Sequence, residues 1–117
     1  MAFEIKQGDR RPYFVVALKD NYGEASEAAV NLTTATGAVF NMREAAGTAV
    51  VVSRGAGTIT NPAQGEVTYQ WGTADTSTAG TFHAEVEVAW GDGKPETFPS
   101  GPTSGPYWEV IITDDIA

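Results

Sequence analysis

Apolar and polar residues alternate almost without interruption in two stretches of this chain, residues 66–71 and 81–90. A period of two is typical of a strand that buries one face in a core and exposes the other to water. The intervening residues 72–80 are small and polar, which predicts a connection. Two long amphipathic strands joined by such a corner indicate a β-sandwich.

Shorter runs of the same kind predict further strands. These lie at residues 3–6, 12–18, 38–43, 48–53, 58–60, 95–98 and 107–113. The run 12–18 is continuously apolar, so we expect this strand to be buried on both faces. Residues 24–30 have some helical propensity, but they are too few for more than a loop with one helical turn.

Residues that favour turns separate these runs. We predict turns or loops at 7–9, 19–23, 54–57, 61–65, 91–94 and 99–106. The stretch 54–57 contains two glycines, which predicts a glycine turn between two strands. The pair Asp92 and Gly93 favours a tight type I′ hairpin that leads into the strand at 95–98.

These elements define an all-β chain of about seven to nine strands in two antiparallel sheets. The length of 117 residues and the hydrophobic content of 42% suit a single domain over residues 1–117 with one core. The predicted core consists of Phe14, Val16, Leu18, Phe40, Met42, Val67, Tyr69, Trp71, Phe82, Ala84, Val86, Val88, Val110 and Ile112.

The net charge of −8 argues against nucleic acid as a partner, because phosphate binding needs clustered lysine and arginine. Residues 1–54 contain six basic and six acidic side chains, whereas residues 55–117 contain one basic and nine acidic ones. Folding of the two halves onto each other would give a polarised docking surface. The alternative is that the acids only keep exposed strands soluble. The longest strongly apolar run, residues 13–18, is too short to span a bilayer, so no membrane partner is expected.

Cysteine is absent, which excludes a disulfide framework, thiolate metal sites and a cysteine nucleophile. The single histidine, His83, lies on the polar phase of its strand, where we expect an exposed side chain. Glu85 and Glu87 share that face, so the three residues form either a weak cation site or, more simply, a solvated acidic face. Asp92 lies in a predicted hairpin turn, where turn geometry alone explains the residue type. The residues therefore predict no catalytic group, no metal site and no cofactor.

Trp90, Tyr107 and Trp108 are the candidate surface aromatics, since they lie near the predicted hairpin and loop at 91–106. Exposed aromatic rings bind sugars and partner proteins. The alternative is that each tryptophan fills an end of the core. A shared exposed platform of the three rings would favour carbohydrate binding, and burial would favour a role in assembly.

The corner at residues 78–84 resembles the one that enters the equivalent strand of immunoglobulin domains, where the motif is Asp-x-Gly-x-Tyr-x-Cys. Phe82 takes the place of the corner tyrosine, and Ala84 takes the place of the cysteine. The resemblance implies an immunoglobulin-like β-sandwich that lacks the corner hydroxyl bond and the inter-sheet disulfide.

A second resemblance covers nearly the whole chain and rests on the order and spacing of short segments. They lie at residues 3–9, 17–23, 30–33, 39–43, 65–71, 74–82 and 96–99. This series resembles the amino-terminal domain of phage baseplate upper proteins and related stand-alone immunoglobulin-like phage proteins. The resemblance implies a non-enzymatic virion structural module that docks at a baseplate, tail, neck or head fibre. In baseplate upper proteins a longer carboxyl-terminal part follows, and here the chain stops at residue 117, so we expect a separate adaptor or decoration subunit.

The partners that the resemblance implies are other virion proteins, in a symmetric multi-copy assembly that forms in the host cytoplasm. Exposed edge strands invite pairing with another chain, which makes the region around residues 3–14 the candidate docking segment. Its candidate contact residues are Phe3, Ile5, Arg10 and Arg11. The alternative function is a carbohydrate-binding module that contacts a glycan of the host surface.

Overall fold

The computed structural model describes residues 2–20, 25, 27–99 and 107–116. The strands are β1 Ala2–Lys6, β2 Phe14–Ala17, β3 Lys19–Asp20, β4 Ala28–Ala29, β5 Ala35–Glu44, β6 Val50–Asn61, β7 Glu66–Tyr69, β8 Gly80–Trp90, β9 Pro95–Phe98 and β10 Trp108–Thr113. The one helical element in these ranges is a 3₁₀ turn at Pro62–Gln64. The all-β prediction is therefore confirmed. In the described part of the chain, no helix has the length and apolar character needed to cross a membrane.

Eight of the strands form one sheet in the order β1-β10-β8-β5-β6-β7-β2, with β9 paired to the second half of β8. β1 runs parallel to β10, and the other pairs are antiparallel. The sheet curls around the core until its two end strands face each other, with the ring centroids of Phe3 in β1 and Phe14 in β2 5.4 Å apart. The hydrogen bonding thus follows one continuous path, whereas the sequence predicted two sheets.

β6 is one strand of 12 residues where the sequence predicted a turn at 54–57 between two strands. Its first half pairs with β5, and its second half pairs with β7. Arg54 has a left-handed φ of 53° beside an irregularity in the β5 register, so the strand bends there without reversing. A Cβ at Gly55 would lie 2.6 Å from Cε1 of Tyr69, so this glycine makes room for a core ring. The turn prediction is wrong because glycine serves packing at this position.

β2 alternates between buried and exposed side chains, although we expected burial on both faces. Phe14 is buried, whereas Val15 is 51% exposed. β2 turns one face to the core of the curled sheet and the other outwards, so every second side chain meets solvent. The continuous apolar run at 12–18 therefore does not mark a doubly buried strand.

The region between β2 and β5 also differs from its prediction. We expected a turn at 19–23 and a loop with one helical turn at 24–30. β3 pairs antiparallel with β4 there, as a separate two-stranded sheet. Strands of two residues have no periodic signal, which is why the chain has more strands than predicted. The remainder of both predictions concerns residues 21–24 and 26, which lie outside the described residues.

β8 and β9 form the predicted hairpin with a different turn. Gly93 has a φ of 83°, but Asp92 lacks the positive φ that a type I′ turn requires. The Gly93 amide donates to the Trp90 carbonyl at 2.9 Å, and the Trp90 amide donates to the Lys94 carbonyl at 3.3 Å. This geometry is a three-residue loop that ends in a left-handed glycine. Asp92 accepts a hydrogen bond from the Lys94 amide, so its carboxylate supports the turn.

The core prediction is confirmed except at Val16, which is half-buried. Further buried apolar residues, outside the predicted core, are Ile5, Val30, Leu32, Ala38, Val52 and Phe98. At the centre, Trp71 is 1% exposed and its indole N–H donates to the Pro12 carbonyl at 3.0 Å. Tyr69 stacks on Phe40 with centroids 4.4 Å apart. Aromatic rings from several strands thus meet in one cluster that holds the curled sheet together.

Candidate binding groove and docking surface

A groove of about 720 Å³ lies on the outer face of the sheet, where β5, β6 and β8 are close together. Its main side chains are Asn41, Arg43, Val50, Ser53, His83, Glu85 and Tyr107. Ligand pockets have volumes of about 300–1,000 Å³, so the groove is large enough for a small ligand.

Strand alternation determines which side chains face the groove. Every second residue in the paired parts of β5 and β8 is buried in the core, so the polar residues between them point outwards. The pairing register sets Arg43 opposite His83 and Asn41 opposite Glu85. The groove floor therefore follows from the same period of two that defines the strands.

Tyr107 covers His83. Their ring centroids are 3.6 Å apart, with an interplanar angle of 25°. His83 is therefore half-buried, whereas we expected it to be exposed. Trp108 pairs with Ala84 in the β8–β10 register, which brings the preceding Tyr107 over the outer face of β8. Because this contact depends on the register of two distant strands, no local pattern in the sequence could predict it.

Glu87 does not line the groove, because it forms an ion pair with Arg54 at 3.0 Å between Oε1 and Nη1. The Arg54 amide also donates to Oδ1 of Asn41 at 2.7 Å, which ties the bend in β6 to β5. His83, Glu85 and Glu87 therefore do not converge on one point. Across the described ranges, no three histidine, aspartate or glutamate side chains are placed to hold a metal ion.

The three candidate surface aromatics do not form a shared platform. Trp90 and Trp108 are half-buried and pack against the core. Nε1 of Trp90 donates to Oε1 of Glu96 at 3.1 Å, and the Trp108 ring lies 6.1 Å from that of Phe14. Tyr107 lies on the opposite face from Trp108 and is 36% exposed. Of the three rings, Tyr107 is the one that offers a surface to a ligand.

The candidate docking segment divides into an inward and an outward part. Ile5 is buried in the core, and the Phe3 ring lies 5.8 Å from that of Trp71. Arg10 and Arg11 are exposed. Phe3 and Ile5 therefore stabilise the fold, and the two arginines are the candidate docking residues that the segment exposes to solvent.

Hydrogen bonds fix the backbone that leads to the two arginines. The Gln7 amide donates to the Thr113 carbonyl at 2.8 Å, and the Gly8 amide donates to the Thr76 carbonyl at 2.9 Å. The buried Thr76 hydroxyl donates to the Asp9 carbonyl at 2.7 Å. The segment is thus attached both to β10 and to the connection between β7 and β8.

Arg10 and Arg11 are also held by their own side chains. Nε of Arg10 donates to the Trp71 carbonyl at 3.0 Å, and the guanidinium carbon of Arg11 lies 5.5 Å from the centroid of the Tyr13 ring. Neither arginine forms an ion pair with a carboxylate within the residues that the structure describes. The result is two exposed positive charges, each held by its own contact, on a chain of net charge −8.

The neutral and acidic halves of the chain do not form separate faces. β5 and the first residues of β6, which belong to the neutral half, lie between β8 and β7 of the acidic half. Arg54, the basic residue of β6, accordingly pairs with Glu87 of β8 across the intervening strand β5. Strand order therefore interleaves the two halves and does not separate them into the polarised surface that was one of the two alternatives.

A tyrosine anchors a corner, but at another strand than the immunoglobulin pattern suggested. The Tyr69 hydroxyl, at the end of β7, donates to Oδ2 of Asp75 at 2.5 Å, and the Gly72 amide donates to the same oxygen at 2.7 Å. Burial raises the pKa of Tyr69 above its ordinary value, and the hydrogen bond to Asp75 and its negative charge raise that pKa further. These bonds hold the connection between β7 and β8 against the core.

The chain matches no protein-family model and no curated protein. Its function is accordingly inferred from two surface features, the groove beside Tyr107 and the arginine pair of Arg10 and Arg11. The groove offers apolar and polar groups to a small ligand. The arginine pair adds two exposed positive charges whose side chains are held by contacts within the chain.

Proposed function

We propose that the chain is a non-enzymatic structural subunit of a tailed-phage virion, which acts through protein–protein contacts at a baseplate, tail, neck or head fibre. The resemblance to the amino-terminal domain of baseplate upper proteins supports the virion class. The observation that carries the proposal is the pair Arg10 and Arg11, exposed on a hydrogen-bonded segment of an otherwise acidic chain. A separate adaptor or decoration subunit fits this docking role.

The same proposal assigns the fold to an immunoglobulin-like sandwich whose two sheets share β6. Divided at the bend at Arg54, the strand order becomes β2-β7-β6 on one side and β6-β5-β8-β10-β1 on the other. In immunoglobulin domains one sheet contains the strand order B, E, D and the other contains C, F, G. In this comparison β2, β7 and β6 correspond to B, E and D, and β5, β8 and β10 correspond to C, F and G. Phe82, which takes the place of the corner tyrosine, lies near the start of β8, the strand that corresponds to F.

An acidic surface on a neighbouring virion protein is the partner that fits the arginine pair. Complementary charge steers association and suppresses wrong partners. Because the backbone of the segment is already fixed, little ordering entropy would be lost on docking. Each contact can be weak in a symmetric multi-copy assembly, since many copies bind together.

Charge reversal tests this docking surface. Arg10→Glu and Arg11→Glu are made singly and together, and virions assembled with each variant are purified and separated into heads and tails. Mass spectrometry then quantifies the chain in each fraction. We expect the double variant to be incorporated about tenfold less or worse, because like charges across a contact cost several kcal/mol. The control is Lys94→Glu, which makes the same charge change as either single variant at the far end of β8 and should not affect incorporation.

Two outcomes would contradict the proposal in different ways. Normal incorporation of a folded double variant would place the docking surface elsewhere on the chain. Absence of the unmodified chain from purified virions would overturn the virion role itself. Deletion of β1 is not a clean test, since Phe3 and Ile5 pack against or within the core.

A further inference from the structure

The groove beside Tyr107 combines apolar walls with a polar floor. Val50 is 61% exposed and Tyr107 is 36% exposed. They are two of the four large hydrophobic side chains that are exposed in the described ranges, and both line this groove. These two side chains give the groove its apolar wall.

The Tyr107 ring is positioned before any ligand arrives. It stacks on the His83 imidazole at 3.6 Å, so the ring is held over β8 while part of its surface stays open to solvent. A ring fixed in this way loses little conformational entropy when a ligand packs against it. The stacking partner thus makes Tyr107 a preformed platform.

The floor of the groove offers donors and acceptors side by side. The Arg43 guanidinium can only donate, the ionised Glu85 carboxylate can only accept, and the Ser53 hydroxyl can do both. Neither Arg43 nor Glu85 forms a hydrogen bond or an ion pair through its side chain within the part of the chain that the structure describes. Their opposite charges cancel, so the floor carries no net charge.

We propose that this groove binds a neutral oligosaccharide through the single ring of Tyr107, and not through the platform of three rings that the sequence suggested and the fold does not form. Sugar rings present C–H groups on one face that pack against aromatic rings such as Tyr107. Sugar hydroxyls both donate and accept hydrogen bonds, which matches a floor that combines Arg43, Glu85 and Ser53. An acidic peptide would bring its charge against Glu85, and a basic peptide would bring its charge against Arg43. A neutral polyhydroxyl ligand meets neither repulsion.

This site is separate from the docking surface and does not depend on the virion role. The groove lies on the outer face of β5 and β8, whereas Arg10 and Arg11 lie at the end of the sheet beside the β7–β8 connection. The two sites share no residue, so a substitution at one site leaves the side chains of the other unchanged. Either proposal can fail while the other stands.

Nuclear magnetic resonance of the full chain labelled with ¹⁵N tests the site. The probes are lactose, N,N′-diacetylchitobiose and maltotriose, each titrated to millimolar concentration, with a sulfated heparin disaccharide as the charged comparison. We expect at least one neutral probe to shift the backbone amides of Arg43, His83 and Glu85 in a saturable manner. Tyr107→Leu and Glu85→Gln should each weaken that binding about tenfold, which corresponds to about 1.4 kcal/mol. Val15→Ala, on another part of the outer surface, is the control and should leave binding unchanged.

Several results would overturn the proposal. No saturable shift with any neutral probe would do so, as would shifts that map away from the groove. Equal binding by Tyr107→Leu and the unmodified chain would show that the ring is not the platform. Tighter binding of the sulfated disaccharide than of every neutral sugar would refute the neutral ligand class. The spectrum of each variant without ligand shows that it is folded.

Discussion

Substitution of Trp71 by alanine should remove the centre of the core. Trp71 is 1% exposed, and its ring lies 5.7 Å from Phe40 and 5.6 Å from Tyr69 between centroids. Truncation of a buried aromatic costs about 3–5 kcal/mol, because transfer free energy is lost and a cavity remains. The indole hydrogen bond to the carbonyl of exposed Pro12 contributes about 1 kcal/mol of this, since water can replace the donor. We therefore expect Trp71→Ala to lower the free energy of unfolding by about 3–5 kcal/mol.

Urea denaturation followed by circular dichroism measures this loss by linear extrapolation. Trp71→Phe separates the two contributions, because it keeps most of the ring but removes the indole N–H. We expect that variant to lose about 1–2 kcal/mol. Trp90→Ala is the matched control, since Trp90 is half-buried and its indole N–H bonds to Glu96 near the hairpin. Its loss should be about 1–2 kcal/mol, in proportion to the smaller area that it buries.

A loss below about 1 kcal/mol for Trp71→Ala would refute the central position of this ring, because ordinary surface substitutions have effects of that size. Equal losses for Trp71→Ala and Trp90→Ala would refute it as well. A variant that is already unfolded without urea would agree with the reasoning, since small domains have total stabilities of about 5–15 kcal/mol.

Two further predictions concern residues around Tyr69. Gly55→Ala should cost about 1–3 kcal/mol, because the new Cβ would lie 2.6 Å from a Tyr69 ring that Phe40 and Asp75 hold in place. The control is Gly37→Ala, because the new Cβ would meet open space and should change the free energy of unfolding little. Equal effects of the two substitutions in urea denaturation would contradict the close packing of Gly55 against Tyr69. The pKa of Tyr69 is higher in the folded chain than the value of about 10 in the unfolded chain. Tyr69 therefore makes its full contribution to stability below about pH 10. As the pH rises above this value that contribution is lost, because the tyrosine of the unfolded chain ionises first. Between pH 9 and about pH 11 the unfolding free energy of Tyr69→Phe should therefore fall less steeply than that of the unmodified chain, and parallel curves would show that Tyr69 is not responsible.

Strand periodicity predicted the long elements well and the short or bent ones poorly. β8 and most of the core follow directly from alternation, because a half-buried strand must alternate. The turn prediction at 54–57 was wrong because the sequence does not distinguish a glycine that makes room for a ring, as Gly55 does, from a glycine that forms a turn. β3 and β4 left no pattern at all, because two residues cannot show a period.

The groove could be predicted only in part, because it combines local and distant features. The outward phase of His83 and Glu85 follows from alternation within one strand. The stacking of Tyr107 on His83 depends on the register between β8 and β10, which no single segment encodes. Alternation agrees with the inward orientation of Ile5. The pairing of its strand with β10 could not be predicted, because the two strands come from opposite ends of the described chain.

The parallel pairing of β1 with β10 has a mechanical consequence. Five residue pairs join these strands, from Ala2 opposite Glu109 to Lys6 opposite Thr113. Tension applied between residue 2 and residue 113 pulls the two strands in opposite directions along their length. All the hydrogen bonds of the pair are then loaded together, in shear, instead of opening one after another as in a peeled hairpin. A subunit built this way resists extension most strongly along the axis of these two strands.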